Sequence, residues 1–179
     1  TPTFTLGPEG TDVSEGGEFA GAKTVRITVL TPGASVLYTL DGSTPSATNG
    51  TSVASGGTVA IDRTATLTAV GVKVGLEDSP SRSARFVITY LLSFLAPQAT
   101  SGSMAQERRV SAETRPLPAN QFQRTGHSFT GWATSDGAAA AYADGAAYLM
   151  PAADTSLYAA WSANRYTVSF DSQGGSAPS

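Results

Sequence analysis

Short stretches in which apolar and polar residues alternate constrain this chain most. Residues 25–29 read Val-Arg-Ile-Thr-Val, and residues 36–40 place Val, Tyr and Leu on one face. Because side chains two apart point to the same side of a β-strand, both stretches are predicted to be half-buried strands. Further strands are predicted at 58–61, 64–74 and 85–92. Turn residues such as Pro32 and Gly33 separate them at intervals of roughly 8–12 residues, which is typical of a β-sandwich.

The second half of the chain is also predicted to be mainly β. Alternating or β-branched stretches indicate strands at 104–110, 128–133 and 155–162. Prolines within 116–122 leave room for at most one short helical turn. We therefore expect a mainly β chain with at most one short helix.

A short internal repeat divides the chain. Residues 166–170 read Tyr-Thr-Val-Ser-Phe and repeat Tyr-Leu-Leu-Ser-Phe at 90–94, 76 positions earlier. A period of this size corresponds to one small folding unit of a tandem array. We predict an irregular lead-in over 1–20, a β-sandwich over 21–90, a repeat unit over 91–163 and the start of a further repeat over 164–179. The stretch around 90–93 is expected to serve as a strand of both modules, which would make a semi-rigid rod.

Composition excludes several classes of function. Only 14% of the residues are charged, the net charge is −3, and there is no basic run, so nucleic acid is not an expected partner. The chain has no cysteine, which rules out thiol catalysis and cysteine-bound zinc. No apolar run is long enough to span a membrane. A neutral, hydroxyl-rich surface without thiols is typical of an exported bacterial module, so we expect an extracellular location.

The turn after the second strand carries the most distinctive motif of the first half. Asp41 is expected to accept hydrogen bonds from the amides that follow it, Gly42 to adopt positive φ, and Pro45 to keep the residue before it extended. Tyr38 leads into this turn. The alternative is that Asp41 and Ser43 bind a cation or a sugar.

The aromatic residues of the second half allow two interpretations. Trp132 and Trp161 each end an apolar strand and are predicted to lie in a shared core, although two such rings also suit a sugar-stacking platform. Tyr142, Tyr148 and Tyr158 are predicted to be surface aromatics that contact a partner.

No set of residues predicts catalysis. His127 is the only histidine, which is too few for a multi-histidine metal site, and no nucleophile elbow accompanies it. Asp136 and Asp144 each precede glycine and are predicted to be turns rather than calcium ligands. The acids of the lead-in suit a solvated loop or a weak cation site; they are Glu9, Asp12, Glu15 and Glu18. We expect no catalytic residue, no cofactor and no bound metal.

Residues 38–45 read Tyr38-Thr39-Leu40-Asp41-Gly42-Ser43-Thr44-Pro45. This motif follows the Tyr-Thr-x-Asp-Gly-Ser-x-Pro signature of the chitobiase/β-hexosaminidase C-terminal domain family, which the first half resembles over roughly residues 3–90. It implies a fibronectin-III-like β-sandwich.

Residues 124–132 read Arg-Thr-Gly-His-Ser-Phe-Thr-Gly-Trp, and residues 157–161 read Leu-Tyr-Ala-Ala-Trp. With these motifs the second half resembles the Listeria–Bacteroides repeat, also called the internalin B-repeat. The matched positions are Gly126, Phe129, Gly131, Trp132, Leu157, Tyr158 and Trp161. The resemblance implies a small β-grasp fold that occurs in tandem on bacterial envelope proteins. His127 replaces the tyrosine of the family, and residues 94–99 lack its glycine turn.

Together these patterns predict a non-catalytic pair of modules from a bacterial cell-surface or secreted multidomain protein. Its expected role is that of a stalk, spacer or adhesion segment. The alternative is a carbohydrate-binding accessory module of a secreted glycoside hydrolase. The expected partners are other domains of the same polypeptide, with a polysaccharide or a partner surface protein as further candidates.

Overall fold

The computed structural model describes residues 1–7 and 10–169, and this part of the chain is built from β-strands. The strands are β1 (Thr3–Leu6), β2 (Thr11–Asp12), β3 (Gly16–Ala20), β4 (Lys23–Thr28), β5 (Ser35–Thr39), β6 (Thr51–Ala54), β7 (Gly57–Ile61), β8 (Ala65–Val72), β9 (Arg82–Leu95), β10 (Glu107–Val110), β11 (Thr114–Pro116), β12 (His127–Ala133), β13 (Ala147–Leu149) and β14 (Thr155–Ala163). The described residues contain no helix, which agrees with the mainly β prediction.

The segment where the sequence allowed a helical turn, residues 116–122, is extended. β11 ends at Pro116, and the N–H of Leu117 donates to the carbonyl of Ala146 at 2.9 Å rather than to its own segment. Prolines and a neighbouring strand together keep this stretch of backbone extended.

The first module is a sandwich of two sheets, as predicted. One sheet has the strand order β2-β1-β4-β7, and every pairing in it is antiparallel. The other sheet contains β6, β5, β8 and the first half of β9, with β3 added in parallel to β9. The two sheets enclose a common core, whose fully buried members include Phe4, Val25, Ile27, Val36, Leu67 and Phe86.

The prediction of an irregular lead-in over residues 1–20 is wrong. β1, β2 and β3 all lie in that range. Phe4 is fully buried and pairs with Ile27 of β4, and β3 pairs with β9. Phe4 and Leu6 alternate with Thr3 and Thr5 over four residues only, and Phe19 follows two glycines. Stretches this short did not indicate that the segment completes the sandwich.

The second module consists of β10 to β14 and the second half of β9. β14 lies between β12, to which it is antiparallel, and β9, to which it is parallel. β10 is antiparallel to β9, and β11 and β13 form a separate two-stranded ribbon. The module is β-rich as expected, while the name β-grasp stays a prediction.

β9 belongs to both modules. Its 14 residues pair first with β8 and then, from Thr89 onwards, with β10. The predicted boundary between residues 90 and 91 therefore falls inside a strand. One cluster of buried apolar side chains extends without division from Phe4 in the first module to Leu157 in the second. Of the predicted further repeat over 164–179, residues 164–169 are described and carry no strand; the rest lies outside the described residues, as does Glu9.

Candidate functional site

The boundary between the modules, here called the junction, comprises residues 88–91 of β9 and the groups bonded to them. On one edge, β8 begins at Ala65 and β10 ends at Val110. Between these strands, the N–H of Ile88 donates to Thr64 Oγ1 at 3.1 Å, and the carbonyl of Ile88 accepts from the N–H of Ser111 at 2.9 Å. The change of partner strand thus leaves both backbone groups of Ile88 bonded.

On the opposite edge of the junction, between the end of β3 and the start of β14, the backbone groups are hydrogen-bonded in the same way. The carbonyl of Thr89 accepts from the N–H of Gly21 at 2.9 Å. The N–H of Leu91 donates to the carboxylate of Asp154 at 2.8 Å. A buried strand must satisfy its backbone groups on both edges, and side chains do so where the partner strands change.

Two further bonds tie loops of one module to residues at the junction. Ser111 Oγ accepts from the N–H of Thr64 at 2.9 Å, and Ser111 is buried. The hydroxyl of Tyr90 donates to the carbonyl of Asp62 at 2.6 Å. A rotation of one module about β9 would break these bonds as well as those of the strand itself.

The predicted Asp41 turn is built as the sequence indicates. Asp41 Oδ1 accepts from the N–H of Ser43 at 2.9 Å and from its hydroxyl at 2.6 Å, and these bonds lower the pKa of Asp41 below its usual range. Gly42 has a φ of 84°, and Thr39 Oγ1 donates to the carbonyl of Ser43. Pro45 is buried behind the turn. Turn formation accounts for each of these residue types.

A hollow of about 540 Å³ lies beside this turn. Tyr38, Asp41 and the exposed pair Asp62 and Arg63 line it. The carboxylate of Asp41 is engaged by Ser43, and that of Asp62 lies 3.2 Å from Arg63 Nε. The hollow therefore presents no free pair of converging carboxylates of the kind that glycoside hydrolysis requires.

The described acids of the first 20 residues do not converge either. Asp12 accepts from the N–H of Ser14 at 2.9 Å, and bonds from Ser14 lower its pKa. Glu15 forms an ion pair with Arg82 at 2.9 Å. Across residues 1–7 and 10–169, no group of three or more histidine, aspartate and glutamate side chains is placed to hold a metal ion.

Trp132 lies at the centre of the second module and is fully buried. Its ring centroid is 5.1 Å from that of Phe94, 5.1 Å from that of Phe129 and 6.3 Å from that of Phe122. Trp161 is only half-buried and packs on Phe129 with the centroids 5.8 Å apart. The two tryptophans therefore do not form an exposed platform.

Glycine at 131 allows this packing. Gly131 lies at the bulge of β12, has a φ of 137° and faces the backbone of Tyr142. The N–H of Trp132 donates to the carbonyl of Tyr142 at 2.7 Å, and the N–H of Tyr142 returns a bond of 3.0 Å. Gly126, in contrast, has a φ of 71° in an open turn.

Tyr148 is not the surface aromatic that was predicted. It is 5% exposed, and its ring packs edge-on against Tyr142 with the centroids 5.1 Å apart. Burial raises the pKa of Tyr148. Pairing of β13 with β11 turns Tyr148 inward, whereas its neighbour Leu149 is 60% exposed. No pattern in the sequence indicates which face of this short ribbon is covered. Tyr142 and Tyr158 are half-buried, and Leu157 is fully buried.

Sequence analysis did not identify the residues whose side chains hydrogen-bond at the junction. Thr64, Ser111 and Asp154 are single polar residues next to strand ends, where such residues are common for many reasons. The available signal was their place at strand ends: Thr64 begins a stretch predicted as strand, Ser111 directly follows one, and Asp154 directly precedes one. Arg109 was also missed. It is buried, pairs with Glu107 at 2.8 Å and donates to the carbonyl of Pro116 at 2.9 Å.

The fold and the junction define a class: two all-β modules that are fused through a common strand. Residues 14–83 match the family model of the chitobiase/beta-hexosaminidase C-terminal domain, and residues 90–160 match that of the Listeria-Bacteroides repeat domain. Both resemblances predicted from the sequence are thereby confirmed. These are accessory and repeat domains typical of bacterial surface proteins, and neither is a catalytic domain.

One relative is a much longer protein than this chain. The chain is 34% identical over 102 residues to a protein of Evansella cellulosilytica that bears the name of a Gly-rich membrane protein. The match covers 53% of this chain and 11% of that protein, so the chain corresponds to a small part of the relative. Among the described residues of this chain there is no helix that could cross a bilayer.

Proposed function

We propose that this chain is a non-catalytic spacer of a bacterial surface or secreted protein, in which β9 holds two modules in a fixed relative orientation. The observation that carries the proposal is the bonded junction, where the strand passes from one module to the next without a free linker. Modules that move independently are usually connected by flexible, polar linkers instead.

The energy of bending supports this role. A hinge at the junction would break the four bonds that join groups of different modules: Ser111 N–H to the Ile88 carbonyl, Thr64 N–H to Ser111 Oγ, the Tyr90 hydroxyl to the Asp62 carbonyl, and Gly21 N–H to the Thr89 carbonyl. At about 1 kcal/mol for each bond, the cost is about 4 kcal/mol. That is a large fraction of the stability of a small domain. β9 alone extends over about 45 Å at the usual rise of about 3.3 Å per residue.

The placement of aromatic residues favours spacing over adhesion. Tyr148 and Trp132 are buried, and Tyr142 and Tyr158 are half-buried. An adhesive surface would be expected to present such rings to a partner. We also propose that the chain acts outside the cell and turns over no substrate, so that incubation with polysaccharides releases no sugar.

Rigidity can be tested by measuring a distance distribution between spin labels. The chain has no cysteine, so labels can be introduced at will. Cysteines at the exposed positions Asp78 and Asp136 report across the junction, and cysteines at Glu113 and Asp136 report within the second module. Pulsed electron–electron double resonance is expected to give equally narrow distance distributions for both pairs of labels.

A matched variant identifies the cause. Replacement of Ser111 and Asp154 by alanine removes the side-chain bonds that these two residues make at the junction. It is expected to broaden the 78–136 distribution, while the 113–136 distribution stays narrow. A 78–136 distribution that is already broad in the unmodified chain would refute the spacer proposal.

Carbohydrate binding is the second candidate function, and one observation favours it. Trp161 is half-buried and lines a hollow of about 390 Å³, together with Arg124 and His127. A flat ring edged by polar groups suits the face of a sugar. Titration with soluble polysaccharides should then change tryptophan emission in the unmodified chain, and Trp161→Ala should abolish the change; no response at millimolar sugar would eliminate this candidate.

A further inference from the structure

β9 has one parallel neighbour in each module. In the first module, residues 16–20 of β3 pair with residues 85–89 of β9. In the second module, residues 155–158 of β14 pair with residues 92–95 of β9. The other pairings between the described strands are antiparallel. β3 precedes β9 in the chain and β14 follows it, so both parallel neighbours lie along one edge of β9, on either side of the junction.

Parallel pairing decides how tension would act on these strands. A spacer within a longer polypeptide transmits tension from the part of the chain before it to the part after it. In the second module this tension pulls β9 towards its N-terminal end and β14 towards its C-terminal end. Because the strands are parallel, those ends lie at opposite ends of the paired region, and all four pairs are loaded in shear at once. In an antiparallel hairpin, the same pull would peel the pairs apart one at a time.

Tension also enters the first module at the end away from the junction. β8 begins at the junction with Ala65 and ends at Val72. Thr1 lines one hollow together with Val72 and residues 29–31, so the start of β1 lies at this far end. A pull between Thr1 and the end of β14 is therefore directed along the strands of both modules rather than across them.

The pairs between β9 and β14 are supported from all sides. β10 pairs with the other edge of β9, and β12 pairs with the other edge of β14 over residues 158–163. Leu92, Phe94 and Leu157 are buried, and the ring of Phe94 packs on that of Trp132. This cover keeps water from replacing the bonds between the strands one by one as they are pulled.

We propose that the four pairs between β9 and β14 are a mechanical clamp, through which the chain transmits tension along its length while residues 96–154 stay folded. The inference rests on the proposed spacer function and adds that the spacer resists stretching as well as bending. Resistance to bending needs only the junction. Resistance to stretching also needs the strands that receive and pass on the force to be bonded in shear, which the parallel pairing provides.

The test is single-molecule force spectroscopy with cysteine attachment points, which the absence of native cysteine makes specific. Cysteines at the exposed positions Asp78 and Ala163 load the four pairs in shear, since Asp78 precedes β9 and Ala163 ends β14. Cysteines at Gln98 and Ala163 peel the same pairs apart, because both positions lie beyond the C-terminal ends of the paired segments. The unfolding force is expected to be about fourfold higher in shear, since four pairs break together rather than singly.

Two matched variants separate the clamp from general stability. Asp154 accepts from the N–H of Leu91 at 2.8 Å, at the end of the pairs that peeling reaches last. Asp154→Ala is therefore expected to lower the shear force by about one fifth, since one of five bonds is lost, and to leave the peeling force unchanged. Asp144→Ala removes a bond of the same kind outside the clamp, from the N–H of Asn120 at 2.9 Å, and should leave both forces unchanged.

Equal unfolding forces in the two geometries would overturn the inference. So would an Asp154→Ala chain in which the shear and peeling forces fall by the same fraction, because the bond would then contribute only to general stability. Equal forces together with a narrow 78–136 distance distribution would leave the spacer proposal standing. A broad 78–136 distribution with a fourfold difference in force would instead refute the spacer proposal and leave the clamp as a property of the second module.

Discussion

Replacement of Gly131 by alanine is expected to unfold the second module. An added Cβ at this position would lie 2.9 Å from the Cβ of Ala140 and closer still to the carbonyl oxygen of Tyr142. The second contact is with backbone, which cannot turn away as a flexible side chain can. The backbone itself has a φ of 137°, a conformation that only glycine adopts readily.

The cost can be worked out from the bonds that must give way. Moving the 140–142 segment aside breaks three bonds to the backbone of Trp132, which are those of Trp132 N–H, Ala141 N–H and Tyr142 N–H. These contribute about 3 kcal/mol together. Backbone strain adds about 2 kcal/mol. The sum of about 5 kcal/mol equals the lower end of the stability of a whole domain.

Gly126→Ala is the matched control. Gly126 also has positive φ, but no atom lies within 4 Å of the position that its Cβ would take. The cost there is the left-handed conformation alone, about 1 kcal/mol.

Tryptophan emission during urea unfolding is a suitable assay, because both tryptophans lie in the second module. The Gly131→Ala chain is expected to show unfolded emission without urea, whereas Gly126→Ala lowers the midpoint modestly. Equal midpoints for the two variants would show that the bulge at Gly131 does not require glycine.

Three further changes have defined consequences. Asp41→Ala should lower the melting temperature of the first module at neutral pH, because the bonds from Ser43 hold the pKa of Asp41 below its usual value of about 3.8. This contribution to stability is present above pH 4 and is lost as the pH falls through the lowered pKa. Calorimetry should therefore show the melting temperatures of the two chains converging in acid. Arg109→Lys should cost about 3 kcal/mol in urea unfolding, since lysine cannot reach a carboxylate and a carbonyl at once in a buried site, and a loss below 1 kcal/mol would contradict this. Asp154→Ala should speed exchange of the Leu91 amide about 10-fold while distant amides stay protected, and an unchanged rate would show that this bond does not form in solution.

The sequence predicted the strands whose own residues alternate. The predicted strands at 58–61, 128–133 and 155–162 fall within one or two residues of β7, β12 and β14. Burial in β7 alternates along the strand, so its covered face shows directly as a period of two. β12 and β14 alternate only in part, since Trp132 and Ala133 are both buried, as are Ala159 and Ala160. The turn at Asp41 was equally predictable, because its hydrogen bonds are between residues two apart.

Features that depend on distant partners could not be predicted in this way. β3 reads Gly-Gly-Glu-Phe-Ala and becomes a strand only because β9 lies beside it. The burial of Tyr148 depends on the pairing of β11 with β13, and that of Arg109 on carbonyls several residues away. No local pattern encodes these contacts, because tertiary structure supplies the partner.

β9 shows how a single strand can serve two modules. Up to Val87 its burial alternates, so only one face is covered. From Ile88 onwards Thr89 and Ser93, on the other face, are buried as well. Thr89 Oγ1 donates to the carbonyl of Phe19 at 3.3 Å, and Ser93 Oγ accepts from Gln106 Nε2 at 3.0 Å.

Small hydroxyl residues suit the second face of such a strand. Their small side chains allow neighbouring segments to pack closely against the strand, and a hydrogen bond offsets the free-energy cost of burying each hydroxyl.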